Sequence, residues 1–412
     1  MSLASIVIVG GGQAGQQVAA SLRRLGYQGR VTLVCEELHL PYQRPPLSKA
    51  YLSGEFDERR LTFKKADWYE KQGIEVVHQA AVSMDRANQT VKLAGGLELD
   101  YEHLVLATGA RNRRLSVPGA DLENVVDLRT RDDAEALAVS LPAAKNVVIV
   151  GAGFIGLEVA ASVRKMGAAV HVLELADRVM ERALSPEASA YFSRAHAQAG
   201  IEIHTGTGIT GIEGREGRVA EVVTSTGERL SADLVLVGIG AVPNAELAEE
   251  AGLEVDGGVV VDEMLRTSDP AVSAIGDVAV VSVCASGARV RLESVQNAND
   301  QGRFLAESLT GAQGSYAKVP WFWSDQGTHK LQIAGVRDGC EETVLLPAHG
   351  PEEFIALHFA AGWLRCVETV NRAGEHMAAR RGLEAGVMPG AEEVRASGFD
   401  LGEWVRTRVH RG

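Results

Sequence analysis

Cysteine is scarce in this chain: four in 412 residues, Cys35, Cys284, Cys340 and Cys366, with no CxxC pair and no metal-ligand spacing. A disulfide framework is thereby excluded, and a reducing compartment is the natural one. Basic charge is also in deficit. Lys and Arg number 41 against 54 Asp and Glu, which leaves a net charge of −13 and a pI near 5.4. That balance excludes a general nucleic-acid-binding surface, although a local basic patch is still compatible with it. Long apolar runs are missing, the cleanest (234–242) being about half a membrane span. No basic-then-apolar leader precedes the strand-like run that begins by Ile6. The expectation is a soluble, cytoplasmic protein.

What is present is an ordinary globular composition, 46% hydrophobic and 23% charged, long enough for about three domains. One motif occurs twice. Residues 6–9 read Ile-Val-Ile-Val and run into Gly10-Gly11-Gly12-Gln13-Ala14-Gly15. Residues 147–150 read Val-Val-Ile-Val and run into Gly151-Ala152-Gly153-Phe154-Ile155-Gly156. Each apolar run fits a parallel strand buried on both faces, and each passes through GxGxxG into a helix-compatible stretch. The first glycine permits the tight turn, the second lets backbone approach a pyrophosphate, and the third brings helix close to strand. The helix N-terminus then offers free N–H groups to the phosphates. Second strands follow, 31–34 and 170–173, ending at Glu36 and Glu174. A carboxylate there can accept hydrogen bonds from a ribose 2′-hydroxyl. The order strand, glycines, helix, strand, acid, met twice, implies two dinucleotide-binding domains.

Further strand–glycine turns follow at Thr108-Gly109 and at Gly238 to Gly240, and a carboxylate, Asp277, closes the short apolar segment 274–276. These fit chain crossings between a split first domain and an inserted second one. From Val319 the texture changes: three of five tryptophans fall at 321, 323 and 363, and polar and apolar residues alternate. The pattern predicts an antiparallel sheet in a third, α+β domain. The expected division is 1–112 with 244–318, then 113–243, then 319–412.

Together with Arg44-Pro45-Pro46-Leu47-Ser48-Lys49 and Phe322-Trp323-Ser324-Asp325-Gln326, these features resemble the NADH-dependent ferredoxin reductases of bacterial oxygenase systems, over essentially the full length. The resemblance implies FAD on the first domain, NADH on the second, and a third domain walling the flavin pocket. Carried over position by position, the FAD contacts would include Ala14, Glu36, Arg44, Lys49, Val82, Arg129, Asp277 and Val295. Trp323 would belong to the flavin wall, or else to the core. Where relatives often carry proline after this valine, the chain has Gln296. The NAD contacts would be Gly153, Phe154, Ile155, Gly156, Glu174 and the turn ending at Gly240. Glu174 would repel the 2′-phosphate of NADPH, with Arg178 the one nearby counter-charge, so NADH is expected. Lys49 would lie near the flavin N5, and Glu158 would pair with it or simply face solvent from the first helical turn.

Disulfide reductases of this architecture carry a cysteine pair beside the flavin. Here the corresponding segment 40–46 has no cysteine, so reduced FAD would pass electrons directly to an outside acceptor. The acceptor implied is an acidic [2Fe–2S] ferredoxin serving a heme monooxygenase or ring dioxygenase. It would dock through a local basic patch at Arg303, at Lys330, or at Arg406, Arg408 and Arg411. Two alternatives stay open: a rubredoxin or small-molecule reductase, and a redox-sensing flavoprotein resembling apoptosis-inducing factors.

Overall fold

The computed structural model describes residues 3–282, 289–348 and 350–409; Cys284 and Arg411 fall outside them. Packing divides the chain into two units. The first comprises 1–43, 57–111 and 241–318, and the second 44–56, 112–240 and 319–412.

The first unit is built on a five-stranded parallel sheet ordered Val272–Ala274, His103–Leu106, Ser5–Val9, Arg30–Cys35, Ile74–His78. Its central strand follows from the apolar run: Ile6, Val7 and Ile8 are no more than 1% exposed, as a strand covered on both faces requires. Helix Gln13–Arg24 starts at the first glycine loop and packs against helix Val295–Leu309. The approach is close, since a Cβ on Gly302 would meet Gln17 Cβ at 3.0 Å and the Ala14 carbonyl oxygen at 3.1 Å. The second helix begins at Val295 despite Gln296, because the Ser294 hydroxyl caps it by accepting from the Asn297 amide at 3.0 Å.

The second unit repeats the plan. Its parallel sheet runs Glu202–His204, Ala169–Leu173, Asn146–Val150, Leu234–Val237, Val125–Val126. In each sheet the glycine-loop strand lies between its sequence neighbour and a much later strand, which is the topological switch point where such sheets bind ligands. The antiparallel sheet expected after Val319 is present in this unit: Trp321–Gln326, His329–Gly335, Trp363–Val370, Phe354–Ala360, Glu342–Leu345, in that order. Helices Ala373–Ala385 and Leu401–Val409 accompany it. The fold class is thus the one expected, α/β with two dinucleotide-type sheets and a C-terminal α+β part. The packing units do not follow the expected three-way division. Segment 44–56 belongs to the second unit although its chain neighbours belong to the first, because Ser48, Lys49 and Tyr51 bond to Glu158 and Glu135. Residues 319–412 share that unit with 112–240.

His103 shows how the first core constrains ionisation. It is 4% exposed, with Nε2 3.0 Å from the Ser273 hydroxyl on the neighbouring strand. Burial disfavours the imidazolium and pushes its pKa from 6.5 down to about 4. Between those values the unfolded chain binds a proton that the folded one does not, so stability is lost as pH falls from about 6.5 to about 4. The gap corresponds to roughly 3 kcal/mol. The His103→Gln variant should therefore show a smaller drop in Tm between pH 7 and pH 4.5 than the wild type. Equal drops would exclude His103 as a source of the acid sensitivity.

Candidate functional site

The two glycine loops have the same construction. Gly10 has φ +117°, and a Cβ there would sit 2.1 Å from the Ala107 carbonyl oxygen; Gly151 has φ +107°, and its Cβ would sit 2.3 Å from the Gly238 carbonyl oxygen. Both positions therefore exclude any side chain. A Cβ on Gly15 would lie 1.9 Å from the Gly10 oxygen, and one on Gly156 would lie 2.2 Å from the Gly151 oxygen. That is the close helix–strand approach assigned to the third glycine of each motif. The middle glycines behave oppositely. A Cβ on Gly12 or Gly153 meets no protein atom within 4 Å, so nothing in the fold itself demands glycine there. Each is the N-cap of its helix, and neither helix has a side-chain cap. Open space, bare amides and the positive helix end converge at both points, which suits a pyrophosphate.

The acids at the second strands differ in state. Glu36 is exposed just beyond Cys35 and has no hydrogen-bond partner among the described residues, whereas its neighbour Glu37 accepts from the Tyr42 hydroxyl. Glu174 accepts from the Ala152 amide inside the second glycine loop at 2.7 Å and from the Ala176 amide at 2.9 Å. A carboxylate has about four acceptor positions, so Glu174 is oriented by the loop and still free to receive hydroxyl donors. The guanidinium of Arg178 donates to the carbonyls of Leu184 at 2.7 Å and Glu181 at 3.0 Å.

In the first unit, Asp277 lies in a turn whose Gly276 amide donates to Gln301 Oε1 at 2.6 Å. A Cβ on Gly276 would reach Ala14 Cβ at 3.0 Å. Ala14, Asp277 and the helix opening at Val295 are thereby gathered beside the first glycine loop. Thr108 and Gly109 are tied to Asn244: the Thr108 hydroxyl donates to its carbonyl at 2.7 Å, and the Asn244 amide donates to the Gly109 carbonyl at 2.9 Å. Val82, 47% exposed, stands in a separate three-stranded antiparallel sheet.

Arg44, Lys49, Arg129, Glu158, Gly240 and Trp323 all lie in the second unit. Arg44 donates to the Arg129 carbonyl at 2.6 Å. The rings of Trp323 and Trp321 lie 5.5 Å apart, tilted by 33°, and Arg380 lies 4.3 Å over Trp321. Phe154 packs its ring 4.5 Å from Phe322, while Ile155 is 40% exposed.

Glu158 does not face solvent. It is 6% exposed. Its Oε2 accepts from Lys49 Nζ and from the Ser48 hydroxyl, each at 2.6 Å, and its Oε1 accepts from the Ser324 hydroxyl at 2.5 Å. Pro45 and Pro46 start the short 3₁₀ turn that presents Ser48. The Ser162 hydroxyl, one helical turn past Glu158, donates to the Ser48 carbonyl at 2.9 Å. Gln326 holds Ser324 by donating to its hydroxyl at 2.9 Å and to the Phe154 carbonyl at 3.2 Å. Ser48, Ser324 and Gln326 were not singled out from the sequence, although they sit inside the two segments that carried the resemblance.

None of the three described cysteines is bonded to another. Cys35 packs under the first glycine loop, buried, and burial, with Glu37 adding to it, pushes its thiol up to about 12. It behaves as a small apolar side chain. Among the described residues no helix is long and apolar enough to cross a membrane.

Comparison with known proteins agrees with this construction. Residues 4–302 match the pyridine nucleotide-disulphide oxidoreductase model and residues 321–405 the reductase C-terminal model. Rhodocoxin reductase of Rhodococcus erythropolis is 47% identical over 398 residues, covering 96% of this chain and 93% of that protein. The crystal structure of the ferredoxin reductase for the CYP199A2 system from Rhodopseudomonas palustris superposes with a TM-score of 0.94 at 47% identity, covering 97% of this chain and 99% of that one. The reductase in a covalent putidaredoxin reductase–putidaredoxin complex gives a TM-score of 0.95 at 36% identity, with 99% of each chain covered. The chain belongs to the pyridine nucleotide-disulphide oxidoreductase family and, within it, to the FAD- and NAD-dependent ferredoxin reductases.

Proposed function

We propose that this enzyme takes a hydride from NADH onto FAD and passes electrons singly to a [2Fe–2S] ferredoxin that serves a heme monooxygenase or ring dioxygenase in the cytoplasm. The observation that carries the reading is the pair of dinucleotide cradles in one chain, each with an open middle glycine and a bare helix end. When bound, FAD supplies the step from a two-electron donor to a one-electron acceptor.

The residues divide the work. Gly10, Gly12, Ala14, Gly15, Glu36, Val82, Thr108, Gly109, Asp277 and Val295 hold FAD in the first unit; the flavin roles of Arg44, Lys49, Arg129 and Trp323 rest on the resemblance alone. Gly151, Gly153, Phe154, Ile155, Gly156, Glu174 and Gly240 hold NADH. Glu174 disfavours a 2′-phosphate by like-charge repulsion, and Arg178 offers little relief because backbone carbonyls already engage its guanidinium. Lys49 supplies a fixed positive charge, and Glu158 holds it in place. Cys35 is buried with its thiol pushed up by burial and is not poised to act as a relay.

The partner is acidic in this reading and needs local positive charge on a chain of net charge −13. Of the groups proposed, Arg303, Arg406 and Arg408 each have a carboxylate within 4 Å. Lys330 is exposed, with no carboxylate partner among the described residues, and is the strongest candidate.

Three outcomes test this reading. Gly12→Val and Gly153→Val put a branched side chain where a Cβ would meet no described atom within 4 Å. The first should purify with little flavin; the second should keep its flavin and Tm while its KM for NADH rises at least about tenfold. Loss of stability in both would instead make these glycines structural. In stopped flow, Glu158→Gln and Glu158→Ala should slow flavin reduction by NADH by roughly 10- to 100-fold, and an unchanged rate would remove Glu158 from the mechanism. Finally, the purified protein with NADH should reduce a [2Fe–2S] ferredoxin faster than rubredoxin, quinones or oxygen. That rate should fall steeply as salt rises above 0.1 M or so. Preference for another acceptor would replace the ferredoxin assignment, and a flat salt profile would exclude the electrostatic dock.

A further inference from the structure

We propose that His171, Glu202 and His204 form a binding site for a zinc-like divalent ion at the edge of the second unit's parallel sheet. Glu202–His204 is the outermost strand of that sheet and only three residues long. It pairs in parallel with Ala169–Leu173, so that His171 lies opposite Glu202 and Leu173 opposite His204. Side chains two apart on a strand share a face, and register therefore brings all three groups to one side of the sheet.

The ligand atoms are spaced for one ion. His171 Nδ1 is 3.4 Å from His204 Nε2 and 3.4 Å from a Glu202 carboxylate oxygen, and all three ligand atoms lie within 4.8 Å of one another. Four ligands placed tetrahedrally at about 2.0–2.1 Å from zinc are about 3.3–3.4 Å apart. Two of the three separations already match that edge. The third ligand belongs to Glu202, whose side chain is 70% exposed and free to turn. The open face leaves the fourth position to water.

Two imidazoles and one carboxylate select zinc or copper over magnesium or calcium, which prefer all-oxygen shells. An ion here would staple the short edge strand to its neighbour. The Glu174 amide donates to the His204 carbonyl at 2.9 Å, so the staple would end beside the acid of the second dinucleotide cradle.

The test uses the full-length, flavin-loaded protein stripped with chelator and returned to metal-free buffer. Calorimetric titration should show one Zn²⁺ per chain, unaffected by millimolar Mg²⁺. The double variant His171→Ala/His204→Ala should weaken binding by at least roughly 100-fold, and Glu202→Gln by about tenfold. Glu202 is exposed enough to be changed without risk to folding. Copper bound to the oxidised wild-type protein should show two nitrogen donors in its electron paramagnetic resonance spectrum, and these should vanish in the double variant. Zinc binding unchanged in Glu202→Gln and in the double variant, displacement by Mg²⁺, or no stoichiometric binding would overturn the proposal. The two histidines would then be no more than a hydrogen-bonded pair.

Discussion

A carboxylate taken out of water must be matched by donors, and Glu158 sets that condition for the second unit. Three donors from two distant stretches of chain meet its two oxygens: Ser48 and Lys49 on one, Ser324 on the other. Removing one partner of such a buried pair typically costs about 3–5 kcal/mol, because the remaining charge is left unmatched. The arrangement therefore specifies position strongly. It fixes the 3₁₀ turn at Pro45–Ser48, the first turn of the helix Phe154–Lys165 and the start of the antiparallel sheet relative to one another. Lys49 is held within that network rather than left on a flexible stem.

The two cradles show a complementary economy. Four glycines, at 10, 15, 151 and 156, are required by the protein's own backbone, since any Cβ would strike a carbonyl oxygen. Two others, at 12 and 153, have no atom of the described residues within 4 Å of the place a Cβ would take, so steric contact does not account for them. Each helix end is left without a side-chain cap, a small loss of stability in the free protein that a phosphate offsets when bound.

The family takes its name from disulphide chemistry, yet the sequence has no CxxC pair and none of the described cysteines is bonded to another. Cys35, at the end of the second strand, is packed as core under the first glycine loop, and Cys366 is likewise buried with its thiol held well above the ordinary range by burial. Segment 40–46 holds no cysteine, and just beyond it a proline-led turn delivers Ser48 and Lys49 to Glu158.

Much of this was legible in residue order alone. A buried parallel strand reads as an unbroken apolar run, and a dinucleotide loop reads as glycines at fixed spacing, because both are local consequences of backbone sterics. Two parallel sheets, two cradles, their acids and the antiparallel C-terminal sheet could therefore be anticipated. The pairing of Glu158 with Lys49 was anticipated from the resemblance, but its burial was not, since a position on the first helical turn is compatible with solvent or with core. Only packing added Ser48 and Ser324 as donors to the same carboxylate. The cluster of His171, Glu202 and His204 was equally invisible, because it depends on strand register, and register is set by contacts between segments some thirty residues apart rather than by either segment itself.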